Sequence, residues 1–323
     1  MDRMMITGAS GFVGHHFIQY LFDNEPGTEI MCIDINEPRY DLEQYNAKLN
    51  ISFRTINLMD LDSLVDVFKS FRPKYVLHLA SFSSVAYSWK HPNESFVNNT
   101  NIFLNLLDAV SSAEEDCKIL SVGSSEEYGD VTKEDIPIKE RLKLRPISPY
   151  SVARVSQEML SKLYADSFGM NIVMTRSFNH IGPWQDDRFV VPSFISRILD
   201  IEAAGKIEGT IETGDISVVR DFVDVRDVVR AYHLLLLHGG NGEIYNVCSG
   251  RGIRLSELIS IISKQVGIQV NTIENPLFVR PNDNKIIIGE NFKIFDAVGW
   301  KPVYELDETI MDTIMDIRNR RKQ

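Results

Sequence analysis

The segment SPYSVARVSQ, residues 148–157, sets a phenol at Tyr150 and a guanidinium at Arg154, four positions further on. On a helix such side chains meet across one turn, and most pairs of this kind are surface contacts worth about 0.2–0.5 kcal/mol. The same two groups do chemistry when a carbonyl oxygen must gain a proton as its carbon gains hydride. A tyrosine supplies that proton if a neighbouring cation draws its pKa toward neutrality. Hydride transfer needs a nicotinamide, so the pair has functional meaning only if the chain also builds a dinucleotide site.

ITGASGFVG is a candidate for that site, with Gly8, Gly11 and Gly14 between a strand-like run and an amphipathic stretch opened by Phe12 and Val13. The spacing is a variant of the dinucleotide fingerprint, with the same physical basis: a tight turn, backbone approach to a pyrophosphate, and an anion at a helix N-terminus. Asp34 ends the next strand-like run, MCIDIN, where a carboxylate accepts hydrogen bonds from the adenosine ribose and repels a 2'-phosphate. The expected cofactor is therefore NAD, with NADP kept open by nearby Arg39. Asp60, followed by Leu61, could reach the adenine or could equally cap a helix.

The elements that must hold these groups follow from periodicity. MMIT, EIMCID, ISFRTIN, KYVLHLA and KILSVGS are short apolar runs, and amphipathic stretches lie between most of them. That alternation predicts an α/β fold, a Rossmann-like doubly wound parallel sheet with helices on both faces. The boundary falls near residue 175: 1–175 forms the dinucleotide-binding unit, and 176–323 a smaller α/β unit over its end. In the second part, RFVVPSFISRILDIE predicts a helix and IEGTIETGD a hairpin-like or edge region. RLSELISIISKQVG predicts a helix stopped by Gly267, and the helix near 225–238 is expected to pack back on the first unit. The tail NRRKQ reads as a fraying terminus.

Composition narrows the partners. With 34 Lys and Arg against 45 Asp and Glu, the chain carries a formal charge of −11, which gives no general attraction for nucleic acid. Three scattered cysteines suggest neither a disulfide framework nor a metal site. No signal segment or apolar stretch long enough to cross a bilayer is evident, so the expected compartment is the cytoplasm, with no membrane partner.

TGASGFVG, SSEEYG and Tyr150 with a basic residue four positions on together resemble the extended short-chain dehydrogenase/reductase family that acts on nucleotide sugars. The likeness covers essentially the whole chain. It implies that Ser124 hydrogen-bonds the reacting sugar oxygen, that Tyr150 is the acid/base, and that Arg154 stands where the family carries a lysine contacting the nicotinamide ribose. Leu79 and Ala80 line the cofactor at a strand end, and Asn99 matches an asparagine at the start of a helix behind the site.

Within the family, SFNHIGPWQDDRFV, VRDFVDVRDVVRAY, IYNVCSG and PLFVRPND most resemble the reductases of GDP-4-keto-6-deoxyhexoses, with the GDP-mannose 4,6-dehydratases as near relatives. The implied substrate is a nucleotide-diphosphate sugar, GDP-linked, met by Ser84, Ser125, Asn179, Arg220 and Arg280; Arg220 could instead pair structurally with Asp221 or Asp224. Ser83 and Trp89 could face the hexose or form a polar loop with a core tryptophan. Ser124, Ser125 and Glu126 occupy the triplet in which dehydratases keep a Thr, an Asp or Ser, and a Glu, so Glu126 retains a possible base for dehydration. A 4-epimerase and a binding-only protein that tolerates Arg154 remain as alternatives. Relatives pair as homodimers through two helices, here those around 101–111 and 151–167. The implied product is a deoxysugar for a surface polysaccharide or glycoprotein.

Overall fold

Apolar runs buried on both faces place five strands of the N-terminal half in the middle of a sheet. The computed structural model describes residues 2–278 and 284–322. In chain order the first half forms β1 (Arg3–Thr7), α1 (Phe12–Asn24), β2 (Glu29–Asp34), β3 (Asn50–Thr55), α2 (Leu61–Phe71) and β4 (Tyr75–His78). It continues with α3 (Val85–Lys90), α4 (Pro92–Ser112), β5 (Lys118–Ser124), α5 (Pro149–Phe168) and β6 (Asn171–Ser177). The second half forms β7 (Asn179–Ile181), α6 (Val190–Ala203), β8 (Glu208–Thr213), β9 (Val219–Asp224), α7 (Val225–His238), β10 (Ile244–Val247) and β11 (Gly252–Arg254). It ends with α8 (Leu255–Val266), β12 (Gln269–Glu274), β13 (Ile286–Ile287), α9 (Phe292–Val298) and α10 (Leu306–Arg320).

Seven strands make one parallel sheet in the order β10-β6-β5-β4-β1-β2-β3. Strand order reverses between β1 and β4, which opens the crevice where doubly wound sheets bind ligands. One face packs on α1 and α7 through Phe17, Ile18, Leu21, Val228, Tyr232 and Leu235. The other packs on α2, α4 and α5 through Leu64, Phe68, Phe103 and Leu106. The helix expected to pack back on the first unit, α7, lies beside α1, and β10, which also follows residue 175, pairs with β6, so the first sheet takes a strand from beyond that boundary.

Of the other elements, α6, β8, α8 and α10 gather around Phe194, Ile198, Ile211, Leu258, Ile262, Ile310 and Ile314, whereas α9 packs on α7 and β10. There β9 pairs with β7, β11 and β13. IEGTIETGD forms an edge strand and no hairpin: β8 pairs in parallel with β12 in a two-stranded sheet, and a parallel partner requires a long crossover that local sequence does not announce. The basic tail also differs from expectation, because α10 continues to Arg320. Arg318 bonds Glu202 at 2.6 Å and Arg320 bonds Asp316 at 2.8 Å, and cations in a last turn suit the helix dipole. All three cysteines are free and buried.

Beneath the end of β5 lies a buried charge cluster. Arg176 meets Glu158 through two hydrogen bonds of 2.7 Å and lies over the Tyr128 ring. Glu127 is fully buried, accepts the Ser124 amide at 2.6 Å through Oε1, and stands 3.8 Å from Arg176 through Oε2. With the guanidinium already matched by Glu158, burial first and the Glu158 charge second push the Glu127 carboxyl well above its usual range.

A carboxyl whose folded pKa is raised contributes stability that is complete below its unfolded value, 4.5, and is lost as pH rises toward the folded value. Glu127→Gln keeps the acceptor for Ser124 and removes that loss. Unfolding free energies of mutant and wild type, from denaturant titrations, should nearly coincide at pH 4.5 and diverge in the mutant's favour toward pH 8, by at most about 1.4 kcal/mol per pH unit. A constant difference across that range would show that Glu127 is not held protonated.

Candidate active site

The glycine loop leaves β1 at the sheet's reversal point. Gly8 has φ +71°, and a Cβ there would fall 2.6 Å from the Ala80 nitrogen, so the close passage of this loop against the end of β4 requires glycine. Gly14 meets the same limit, since a Cβ would fall 2.3 Å from the Ala9 carbonyl oxygen. Gly11 is the N-cap of α1; no side chain caps the helix, and its first turn, with Phe12 and Val13, holds no acidic residue. An N-terminus left in this condition suits an anion.

Asp34 closes β2 and accepts the Ser10 amide at 3.0 Å and the Asn36 amide at 3.2 Å, which ties the loop to the strand end while leaving carboxylate lone pairs for a ribose. Leu79 and Ala80 are half-buried at the end of β4, and the Leu79 amide bonds Thr7. These residues fit a dinucleotide. Asp60 behaves as a cap: it is exposed and accepts from the Ser63 amide at 3.2 Å and hydroxyl at 2.6 Å, with Leu61 as the first residue of α2.

Ser148 caps α5 and Pro149 opens it, which sets Tyr150 in the first turn. Arg154 Nε donates to the Tyr150 hydroxyl at 3.2 Å. Both groups are buried, and the guanidinium is anchored on three elements: Nη1 donates to the Val122 carbonyl of β5 at 3.1 Å and to Gln157 Oε1 of α5 at 2.7 Å, and Nη2 donates to Ser81 Oγ. Ser81 directly follows Ala80, so the cradle adjoins the Gly8 crossing. Ser124, the last residue of β5, starts the turn over 125–128, against which α5 packs. Its hydroxyl accepts the Glu126 amide at 3.2 Å and keeps its own proton to donate. Glu126 is half-buried and Ser125 buried.

Asn99 lies well inside α4, away from its start. Its Oδ1 accepts the Phe82 amide at 2.7 Å and its Nδ2 donates to the Phe82 carbonyl at 3.0 Å, so the side chain fixes the loop after β4. Ser84 caps α3, and Trp89 is exposed, not a core residue. In the second half, Asn179 is exposed and donates to the Asp221 carbonyl at 3.3 Å. Arg220 Nη1 donates to the carbonyls of Val219 and Asn284. Arg280 lies outside the described residues.

Two groups, Ser81 and Gln157, escaped the sequence reading, and Asp221 figures in it only as a possible partner of Arg220. Ser81 and Gln157 anchor Arg154; only the three-residue spacing of Gln157 hints at its contact. Asp221, buried on β9, accepts from Ser249, Gly250 and Gly289 and so gathers the loops of the second half; burial pushes its carboxyl up to about 6. No cluster of metal-ligating side chains occurs, and no helix is long and apolar enough to cross a membrane, among the described residues.

Comparison with known proteins agrees with this geometry. The family model described as GDP-mannose 4,6 dehydratase matches residues 5–313. The GDP-6-deoxy-D-mannose reductase of Pseudomonas aeruginosa is 31% identical over 322 residues, covering 100% of this chain and 99% of the relative. The solved structure of RMD from Pseudomonas aeruginosa complexed with NADPH superposes with a TM-score of 0.86 at 30% identity, covering 99% of this chain and 100% of that one. The UDP-glucose 4-epimerase of Thermotoga maritima with UDP-glucose gives 0.87 at 30% identity, covering 99% of each chain. With its glycine loop at the reversal point and its Tyr150 cradle beside it, the chain belongs to the GDP-mannose 4,6 dehydratase family of extended short-chain dehydrogenases/reductases.

Proposed function

We propose that the protein reduces the C4 ketone of a GDP-4-keto-6-deoxyhexose with NAD(P)H, preferring NADH. The observation that carries this reading is the Arg154 hydrogen bond to the Tyr150 hydroxyl, made in a buried cradle that adjoins the glycine loop. When bound, the nicotinamide supplies hydride to the sugar carbon. Tyr150 gives its proton to O4, Arg154 keeps a permanent cation beside the oxygen that loses it, and the Ser124 hydroxyl donates to O4. Asn179, Arg220 and Arg280 orient the nucleotide diphosphate, whose binding supplies position rather than reaction. A cytoplasmic homodimer serving deoxysugar and polysaccharide synthesis accords with this reading. Val152, Met159, Leu163 and Phe168 of α5 are exposed, as a helix-pair contact between copies would need.

A second reading, 4,6-dehydration of GDP-mannose, is favoured by half-buried Glu126 beside Ser124. The two separate in one assay with GDP-4-keto-6-deoxymannose and NADH. Stoichiometric loss of NADH absorbance, with a product heavier by two hydrogens, is expected; unchanged NADH, together with loss of water from GDP-mannose, would replace reduction by dehydration.

Tyr150→Phe should lower kcat by about 10²- to 10⁴-fold while NADH still binds, as read by its fluorescence. Retained turnover would remove Tyr150 from the chemistry. Asp34→Asn keeps the acceptor for Ser10 but removes the charge, and should shift the NADPH-to-NADH preference toward NADPH by about tenfold. An unmoved ratio of kcat/KM values would mean that the Asp34 charge does not select the cofactor.

A further inference from the structure

Arginine at a position suited to lysine poses a geometric problem. An ammonium presents three equivalent donors from one point, whereas a guanidinium is planar and must have its plane fixed for a chosen N–H to face a chosen atom. We propose that Gln157 is a positioning residue that fixes the Arg154 plane, so that Nε faces the Tyr150 hydroxyl and one N–H of Nη2 is left for a hydroxyl of the bound cofactor.

The amide of Gln157 can point only one way. It is 1% exposed, and Nε2 donates to the Val122 carbonyl at 3.2 Å and to Ser121 Oγ at 2.9 Å. A carbonyl oxygen only accepts, so the NH₂ must face Val122 and Oε1 must face Arg154, 2.7 Å from Nη1. Ser161 Oγ, 2.9 Å from Ser121 Oγ, extends the same chain along α5.

Counting donors then orients the guanidinium. Nη1 spends its two N–H groups on Val122 and Gln157, and Nη2 spends one on Ser81. Nε has the Tyr150 hydroxyl, which leaves one N–H on Nη2 among the contacts of the described residues. Without the Gln157 acceptor, Nη1 would keep one buried donor unmatched, and rotation about the Cδ–Nε bond would trade the Tyr150 contact for others. Gln157 therefore supplies the extra acceptor that a buried arginine requires here. Its role rests on the proposed reduction, but its effect on Arg154 also reaches cofactor binding.

The test uses the full chain, with NADH affinity read by fluorescence and kcat and KM read on GDP-4-keto-6-deoxymannose. Gln157→Met should lower kcat by about 10- to 100-fold with little change in the sugar KM. Gln157→Met added to Arg154→Met should cost nothing more. Ser81→Ala removes the opposite anchor at a half-buried position, and should lower kcat in the same way should Gln157→Met not fold.

Additive losses in the double variant would overturn the proposal, as would full activity in Gln157→Met, or in Ser81→Ala when Gln157→Met does not fold. If wild type leaves this sugar untouched, the proposed reduction fails on its own, and NADH affinity decides the matter. Weakening by Gln157→Met to the extent seen in Arg154→Met upholds the positioning role, and unchanged affinity overturns it.

Discussion

A buried guanidinium is the constraint on which the site depends. Removing a charge from water costs several kcal/mol unless hydrogen bonds replace the lost hydration, and Arg154 is only 5% exposed. Its acceptors come from the loop after β4, from β5 and from α5, so those three elements cannot shift independently without leaving a buried donor unmatched. The Ser148 cap of α5 and the Asn99 clamp on Phe82 hold the ends of the same frame. Below it, Arg176 imposes a similar demand, met by Glu158 while Glu127 carries the Ser124 amide.

The cofactor side is governed by exclusion instead of charge. Gly8 touches the backbone of Ala80, and Ala80 is followed by Ser81, which bonds Arg154. The crossing at the sheet's reversal point thus sets the spacing between the glycine loop and the Tyr150–Arg154 pair through one short stretch of β4 and its exit. A side chain at Gly8 would separate strands and site together.

Much of this was legible because it is local. The strand-and-helix alternation, the glycine spacing and the Tyr150–Arg154 pair are written within short windows, and α6, α7 and α8 follow from apolar periodicity and glycine stops. What was not legible depends on partners far away in the chain. The parallel pairing of β8 with β12 spans a crossover, Arg220 finds its carbonyl partner at Asn284, and Arg321 of the tail pairs with Asp200. Gln157 reads as an ordinary polar helix residue until the burial of its neighbours is known.

The pairing of β10 with β6 also sets an order of events during synthesis. Residues 1–177 hold six of the seven strands, but β6 stays an edge until Ile244–Val247 emerge, and α7, which covers the face beside α1, is made only just before them. An N-terminal fragment would expose both a parallel strand edge and the apolar faces of Phe17, Ile18 and Leu21. The first sheet is therefore complete only once residues 225–247 have been made, and on the ribosome its β6 edge and its α1 face wait for them.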